Sequence, residues 1–279
     1  MTPQPRARWV VPKAVRRSAC IVATALAALG VTSAVALADT LIGTEASDQL
    51  VGSSSADQIY GEGGDDRLFG NASGDYLEAG SGNDQIDGSD GVDLAIGGTG
   101  DDRIDAGAGF DVVYAGAGAD VALGGTGADT LFGQAGADQL FGGSGDDRIY
   151  ASLGGDFVDA GSGADRISSE QDNATILAGP GADVVTADGG AIEVNGGTGR
   201  DRIRTGSFAD RVIGGGGIDS IDSGPGDDLV RARDGKRDRI RCGEGEDVVD
   251  ADPVDRLDRD CEATELPDAG RLSRRTARA

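Results

Sequence analysis

An aliphatic side chain recurs at every ninth position from Leu41 to Val230, without insertion or deletion. All 22 residues of this column are Leu, Ile, Val or Ala, with Ala only at Ala95 and Ala122. Two positions ahead of each aliphatic runs a polar column. From Asp39 to Asp228, 20 of its 22 slots hold Asp, the exceptions being Ala174 and Ile192. Alternation after each Asp predicts a very short strand, its second residue inward and its first and third outward. Gly usually stands two residues before the slot (Gly64, Gly82, Gly100, Gly127, Gly145, Gly199, Gly217), which predicts a tight turn between strands. So strict and short a period specifies a solenoid, because each unit can bury its single aliphatic only against its neighbours.

Composition agrees with one elongated domain rather than two ordinary ones. Phe, Trp and Tyr total only 11 in 279 residues, too few for a conventional core, while 49 Gly suit repeated turns. The aspartate column calls for a hard, oxygen-preferring cation, and calcium fits best. Stacked coils would hold carboxylates about 5 Å apart. Each neighbouring pair then repels by about 3 kcal/mol at an effective dielectric of ~20. Without cations such an array resists its own fold, and a disordered chain is the competing state.

Five stretches spell one repeat in full: GGTGDDRI (97–104), GGTGADTL (124–131), GGSGDDRI (142–149), GGTGRDRI (196–203) and GGGGIDSI (214–221). The array resembles the G-G-x-G-x-D-x-U-x nonapeptide of the RTX, or hemolysin-type, calcium-binding family. The resemblance implies an all-β, right-handed parallel β-roll with two nonapeptides per 18-residue coil. It also implies that ions lie between turns, held by Asp carboxylates and glycine-region carbonyls. One edge would carry Asp57, Asp75, Asp93, Asp111, Asp129, Asp147, Asp165, Asp183, Asp201 and Asp219. The other would carry Asp48, Asp66, Asp84, Asp102, Asp120, Asp138 and Asp156, then Asp210 and Asp228 after the two substituted slots.

The ends follow different rules. Residues 1–38 read as a secretory signal peptide: Arg6, Arg8, Lys13, Arg16 and Arg17, an apolar run, then Ala36-Leu37-Ala38 as the cleavage signal. An uncleaved membrane anchor is the alternative. Cleavage would leave 20 basic and 49 acidic residues, an extracellular location, and a charge that disfavours nucleic acid as partner. Residues 39–230 form the roll. Past Val230 the phase slips by one residue, and 231–262 read as degenerate capping turns. There Cys242 and Cys261, 19 apart, are expected to form a disulfide on adjacent coils. Residues 263–279 form a basic tail without apolar periodicity, expected to be disordered.

The chain has no His, which removes His-based triads and most zinc hydrolase sites. The enzymatic alternative is a calcium-dependent polysaccharide lyase using an arginine base, for which Arg148, Arg166 and Arg202 point outward; no insertion builds its groove. Ice binding would need a Thr or Asn ladder, and Thr99, Thr126 and Thr198 are separated by other residues. An outward aromatic series, Tyr114, Phe132 and Tyr150 at intervals of 18, either braces the sheet or forms a contact strip for a glycan, a wall component or another copy. The reading favoured by the sequence is a secreted calcium-binding structural or adhesive repeat protein, not an enzyme.

Overall fold

The computed structural model describes residues 38–170 and 173–261. The leader up to Leu37 and the basic tail lie outside the described residues. From Thr40 onward, strands alternate between two parallel sheets, one starting at Thr40–Ile42 and the other at Gln49–Val51, each of 13 strands. Each strand pairs with the strand one coil on: Leu41 lies opposite Ile59, Leu50 opposite Leu68, Val113 opposite Leu131. This register sets aliphatic against aliphatic in every coil, whereas a slip of one residue along a strand would turn the aliphatic column outward. A smaller three-stranded sheet (Pro180–Gly181, Thr198–Gly199, Gly216–Gly217) joins the turns of three later coils.

The core is a double file of aliphatics, one from each sheet; Ile59, Leu68, Leu77, Ile104 and Leu131 are fully buried. A second inward position lies four residues after each slot and is kept small, as at Gly61, Gly97, Ala79, Ala115 and Ala160. Here the chain bends from strand into turn, and the interior has no room for a large side chain. The turns then need glycine where coils approach most closely. At Gly127, φ is +127°, and an added Cβ would lie 1.4 Å from the Gly109 carbonyl oxygen of the preceding coil.

The coil pattern continues past Val230. Strands Arg239–Arg241, Val248–Asp250 and Arg256–Leu257 pair onto the preceding coils, so the sheets continue through the described part of the capping segment. The extra residue is taken up between Asp228 and Asp238: pairing there is Ser220 with Arg239 and Leu229 with Val248, an offset of 19. The turn at Gly235 absorbs it at the surface, where a Cβ would meet nothing within 4 Å. Cys242 is fully buried in the small inward position after Asp238, and it forms a disulfide with Cys261 at a Cα separation of 5.2 Å. Ion pairs Arg233–Asp250, Arg239–Asp258 and Arg241–Asp222 cover this end. Among the described residues, no helix is long and apolar enough to cross a membrane.

Candidate metal centre

The first residue before each strand is the slot aspartate, and strand pairing stacks these residues in two files. One file runs Asp57, Asp75, Asp93, Asp111, Asp129, Asp147, Asp165, Asp183, Asp201 and Asp219. The second runs Asp66, Asp84, Asp102, Asp120, Asp138 and Asp156, then Asp210 and Asp228. All are at most 3% exposed. Burial of so many carboxylates without cationic side chains beside them is costly, so each needs specific compensation.

Half of that compensation is visible. Where the slot one coil on holds Asp, the backbone N–H of the slot residue donates to its Oδ1. Asp57 donates to Asp75 at 2.7 Å, Asp66 to Asp84 at 2.7 Å, Asp102 to Asp120 at 2.8 Å and Asp183 to Asp201 at 2.9 Å. The same bond runs beyond the positions recognised in the sequence: Asp219 donates to Asp238 at 2.8 Å and Asp228 to Asp247 at 3.0 Å. These two aspartates were missed because the one-residue slip moved them off the strict count, although their nine-residue spacing was a usable signal.

The other half is missing. Oδ2 of Asp75, Asp93, Asp102, Asp120, Asp129, Asp138, Asp147, Asp165, Asp183 and Asp201 is buried without a hydrogen-bond partner. At Asp75, Asp93, Asp102, Asp129, Asp138, Asp147 and Asp201 this oxygen lies beside the small inward glycine of the preceding strand. A Cβ built on Gly97 would be 2.5 Å from Asp102 Oδ2 and 2.3 Å from the Ala115 carbonyl oxygen; on Gly142 it would be 2.5 Å from Asp147 Oδ2 and 2.4 Å from the Ala160 carbonyl. Two acceptors thus face the same small space with no donor supplied by the protein. A cation, a proton or a water donor would satisfy that arrangement, and only a cation also offsets the charge of an ionised carboxylate. Desolvation, reinforced by the neighbouring carboxylates and opposed by the backbone hydrogen bond, pushes Asp93, Asp102, Asp138, Asp147 and Asp183 up to about 7. Among the described residues no three acidic or thiol side chains converge. A cation here would therefore take carboxylate and carbonyl oxygens along a file, a donor set that suits calcium and not zinc.

Most of this donor set lies within segments that match a family of calcium-binding repeats. The family described as RTX calcium-binding nonapeptide repeat (4 copies) matches in overlapping segments across residues 35–191 and again at 195–230, well over half of the sequence. The chain belongs to that family. Membership makes it a secreted calcium-binding repeat protein, with a structural rather than catalytic array. Among solved structures, a hyperactive, Ca2+-dependent, β-helical antifreeze protein from an Antarctic bacterium is similar in fold. It shares 19% identity and a TM-score of 0.56, covering 86% of this chain and 98% of its own. No curated protein matches the chain.

The second file is interrupted as the sequence indicates. Ala174 and Ile192 fill two successive slots, 4% and 2% exposed, and Ile192 N–H still donates to Asp210 Oδ1 at 2.9 Å. On the outer face, Tyr114, Phe132 and Tyr150 stack with ring centroids 4.7 and 4.8 Å apart and planes within 7° of parallel. The candidate lyase arginines Arg148, Arg166 and Arg202 all lie on this same sheet.

Proposed function

We propose that the array is an extracellular scaffold that calcium completes, with the slot aspartates as its ligands. Asp57, Asp75, Asp93, Asp111, Asp129, Asp147, Asp165, Asp183, Asp201 and Asp219 serve one edge. Asp66, Asp84, Asp102, Asp120, Asp138, Asp156, Asp210 and Asp228 serve the other, and Asp238 and Asp247 extend the two. The buried Oδ2 atoms of Asp75, Asp93, Asp102, Asp120, Asp129, Asp138, Asp147, Asp165, Asp183 and Asp201, which no protein donor reaches, carry the reading. When bound, calcium supplies the positive charge that these oxygens lack and turns mutual repulsion into cross-coil bridging. The chain's own residues supply the rest: Oδ1 holds the backbone of the previous coil, the small inward residue leaves the space open, and the aliphatic files exclude water. Affinity belongs in the weak extracellular range, about 10⁻⁴–10⁻³ M. A calcium titration followed by far-UV circular dichroism tests this. The expected result is a cooperative gain of β-structure, reversed by chelator; identical spectra with and without chelator would overturn it.

The tight Tyr114–Phe132–Tyr150 stack supports bracing of the sheet and leaves its outer surface as a contact strip for a surface glycan, a wall component or a second copy. Replacing all three with Ser separates the roles: bracing predicts a lower melting temperature in calcium, contact predicts lost binding with the melt unchanged. Ice binding, suggested by the similar antifreeze structure, is not favoured. Thr99 pairs between Ser81 and Ala117, and Thr126 between Ala108 and Ser144, so no threonine ladder forms.

A further inference from the structure

We infer that the outer face of the Thr40–Ile42 sheet, in its C-terminal half, is a binding surface for an acidic polysaccharide. The chain's formal charge is −24, yet this face gathers arginines. In register across successive coils, one outward column reads Arg148, Arg166, Val184, Arg202, Ser220, Arg239. The three arginines of this column up to Arg202 are exposed, as are Arg204 on the same strand and Arg200 in the turn that leads into it. Arg148, Arg166, Arg200, Arg202 and Arg204 make no ion pair among the described residues, unlike Arg239 and Arg241, which pair with Asp258 and Asp222. A stabilising role for the five would show as pairing with the abundant acids, and it does not.

The arrangement has a period. Small residues separate the arginines, so Arg166, Arg202 and Arg239 stand every second strand, roughly 9–10 Å apart. Between them lie two depressions, one of 240 Å³ over Val184 walled by Arg166, Arg200 and Arg202, the other of 290 Å³ over Ser220 walled by Arg202 and Arg239. At the N-terminal end of the same face the aromatic stack stops. Tyr150 pairs with Ser168, then Thr186, and a 410 Å³ depression opens beside its ring, with Ser152, Ser168 and Glu170 around it.

A linear ligand lying across the strands would meet a flat aromatic surface, then hydroxyls, then cationic clefts at alternate strands. Sugar rings provide apolar faces for Tyr150 and hydroxyls for the serines and Thr186. Carboxylates on every second ring would meet Arg166 and Arg202, because a β-linked disaccharide has a length comparable with two strand spacings; Arg239, already paired with Asp258, continues the same interval. A nucleic acid fits less well, since its phosphates come far closer together. Guanidinium groups also suit carboxylates geometrically. Asp183, Asp201 and Asp219 lie directly beneath this face, so their neutralisation by calcium strengthens its positive field at short range. The inference therefore rests on the calcium-completed scaffold proposed above.

The test uses the full chain in calcium, with immobilised hyaluronan as a glycan bearing a carboxylate on alternate sugars, dextran as its neutral counterpart and polyphosphate as a polyanion without rings. Circular dichroism of each variant reports the calcium transition separately. Retention on hyaluronan but not dextran is expected. Arg166→Gln with Arg202→Gln should weaken it about tenfold or more. Arg67→Gln with Arg103→Gln, the same charge change on the opposite sheet, should leave it nearly unchanged. Tyr150→Ser should weaken hyaluronan retention and not polyphosphate retention. The inference is overturned if a chain with a normal calcium transition ignores hyaluronan, if both arginine pairs cause equal losses, or if polyphosphate binds as tightly and Tyr150→Ser has no effect. A chain without a calcium transition would instead refute the scaffold reading, and this one with it.

Discussion

Replacing Gly127 with Ala isolates what the glycine columns contribute. The new Cβ would lie 1.4 Å from the Gly109 carbonyl oxygen, and the residue would have to keep φ near +127°. A non-bonded C···O contact needs about 3.3 Å, so the two coils must part by roughly 2 Å at this point. Parting them strains the Thr126 N–H to Gly107 O hydrogen bond, now 2.8 Å. Positive φ costs an L-residue about 1–2 kcal/mol, and overpacking a further 1–3 kcal/mol, giving about 2–5 kcal/mol together. Gly235→Ala supplies the control, because φ there is +82° and nothing lies within 4 Å of the added carbon. Only the backbone cost applies, about 1–2 kcal/mol. At roughly 2–4 °C per kcal/mol for a cooperative unit of this size, Gly127→Ala should melt about 2–12 °C below Gly235→Ala in saturating calcium. Its calcium midpoint should rise as well, since the carbonyls it displaces line the turn. Thermal melts and calcium titrations of both variants measure this. Equal melting temperatures would show that coil-to-coil approach does not set the glycine requirement.

Proton and calcium should substitute for each other. Aspartates such as Asp102 and Asp147 are raised to about 7 in the fold against an ordinary 3.8, so the calcium-free fold binds more protons than the unfolded chain between those values. Its stability is then fullest below about pH 4 and is lost as pH rises through about 7; circular dichroism in chelator should show β-structure at pH 5 that disappears by pH 8, and a coil at both would refute this. Hydrogen exchange in calcium should be faster at Thr175–Leu177 and Glu193–Asn195, beside Ala174 and Ile192, than at Thr130–Ala135, and an ion seated between those two slots in a calcium-bound structure would contradict it. Reducing the Cys242–Cys261 bond should cost roughly 3 kcal/mol for a loop of this length, and limited proteolysis should then cut first within 239–257; unchanged cleavage would count against a role in locking that end.

The coil architecture was legible because one period fixed strand, turn and register together. Leu41, Ile59 and Leu77 face inward together when two nonapeptides make one coil, and the aspartates are carried into files by the same period. The disulfide was legible because a separation of 19 is close to one 18-residue coil, which brings Cys261 back beside Cys242. What the sequence hid was the chemistry of individual atoms. Nothing in the spacing says that Oδ1 is committed to the backbone N–H one coil back while Oδ2 is left for an ion. The small column at Gly61, Ala79 and Gly97 passed as part of a glycine-rich turn, because its role depends on where the next aspartate's second oxygen falls. Asp238 and Asp247 fell outside a count that required unbroken phase. A solenoid tolerates one extra residue if the turn that takes it, here at Gly235, faces open solvent.

The two irregularities of the array fall on the same coils, and electrostatics connects them. Across residues 165–210 the file behind the arginine-bearing sheet stays complete through Asp165, Asp183 and Asp201, so calcium can neutralise it. The opposite file loses two carboxylates there, at Ala174 and Ile192. Removing two anions within a coil or two of Arg166 and Arg202 raises the local potential without adding a single cation. The aliphatic column continues beneath through Ile176 and Val194, both fully buried, so the coils keep their packing while the second edge gives up ligands. The substitutions cost cross-coil bridging on one edge, and they fall where a positive outer face gains from having fewer acids behind it. Restoring Asp at 174 and 192 should therefore tighten calcium binding and weaken hyaluronan retention in the same protein. A variant in which both rise together would show that the gap and the arginine face are unrelated.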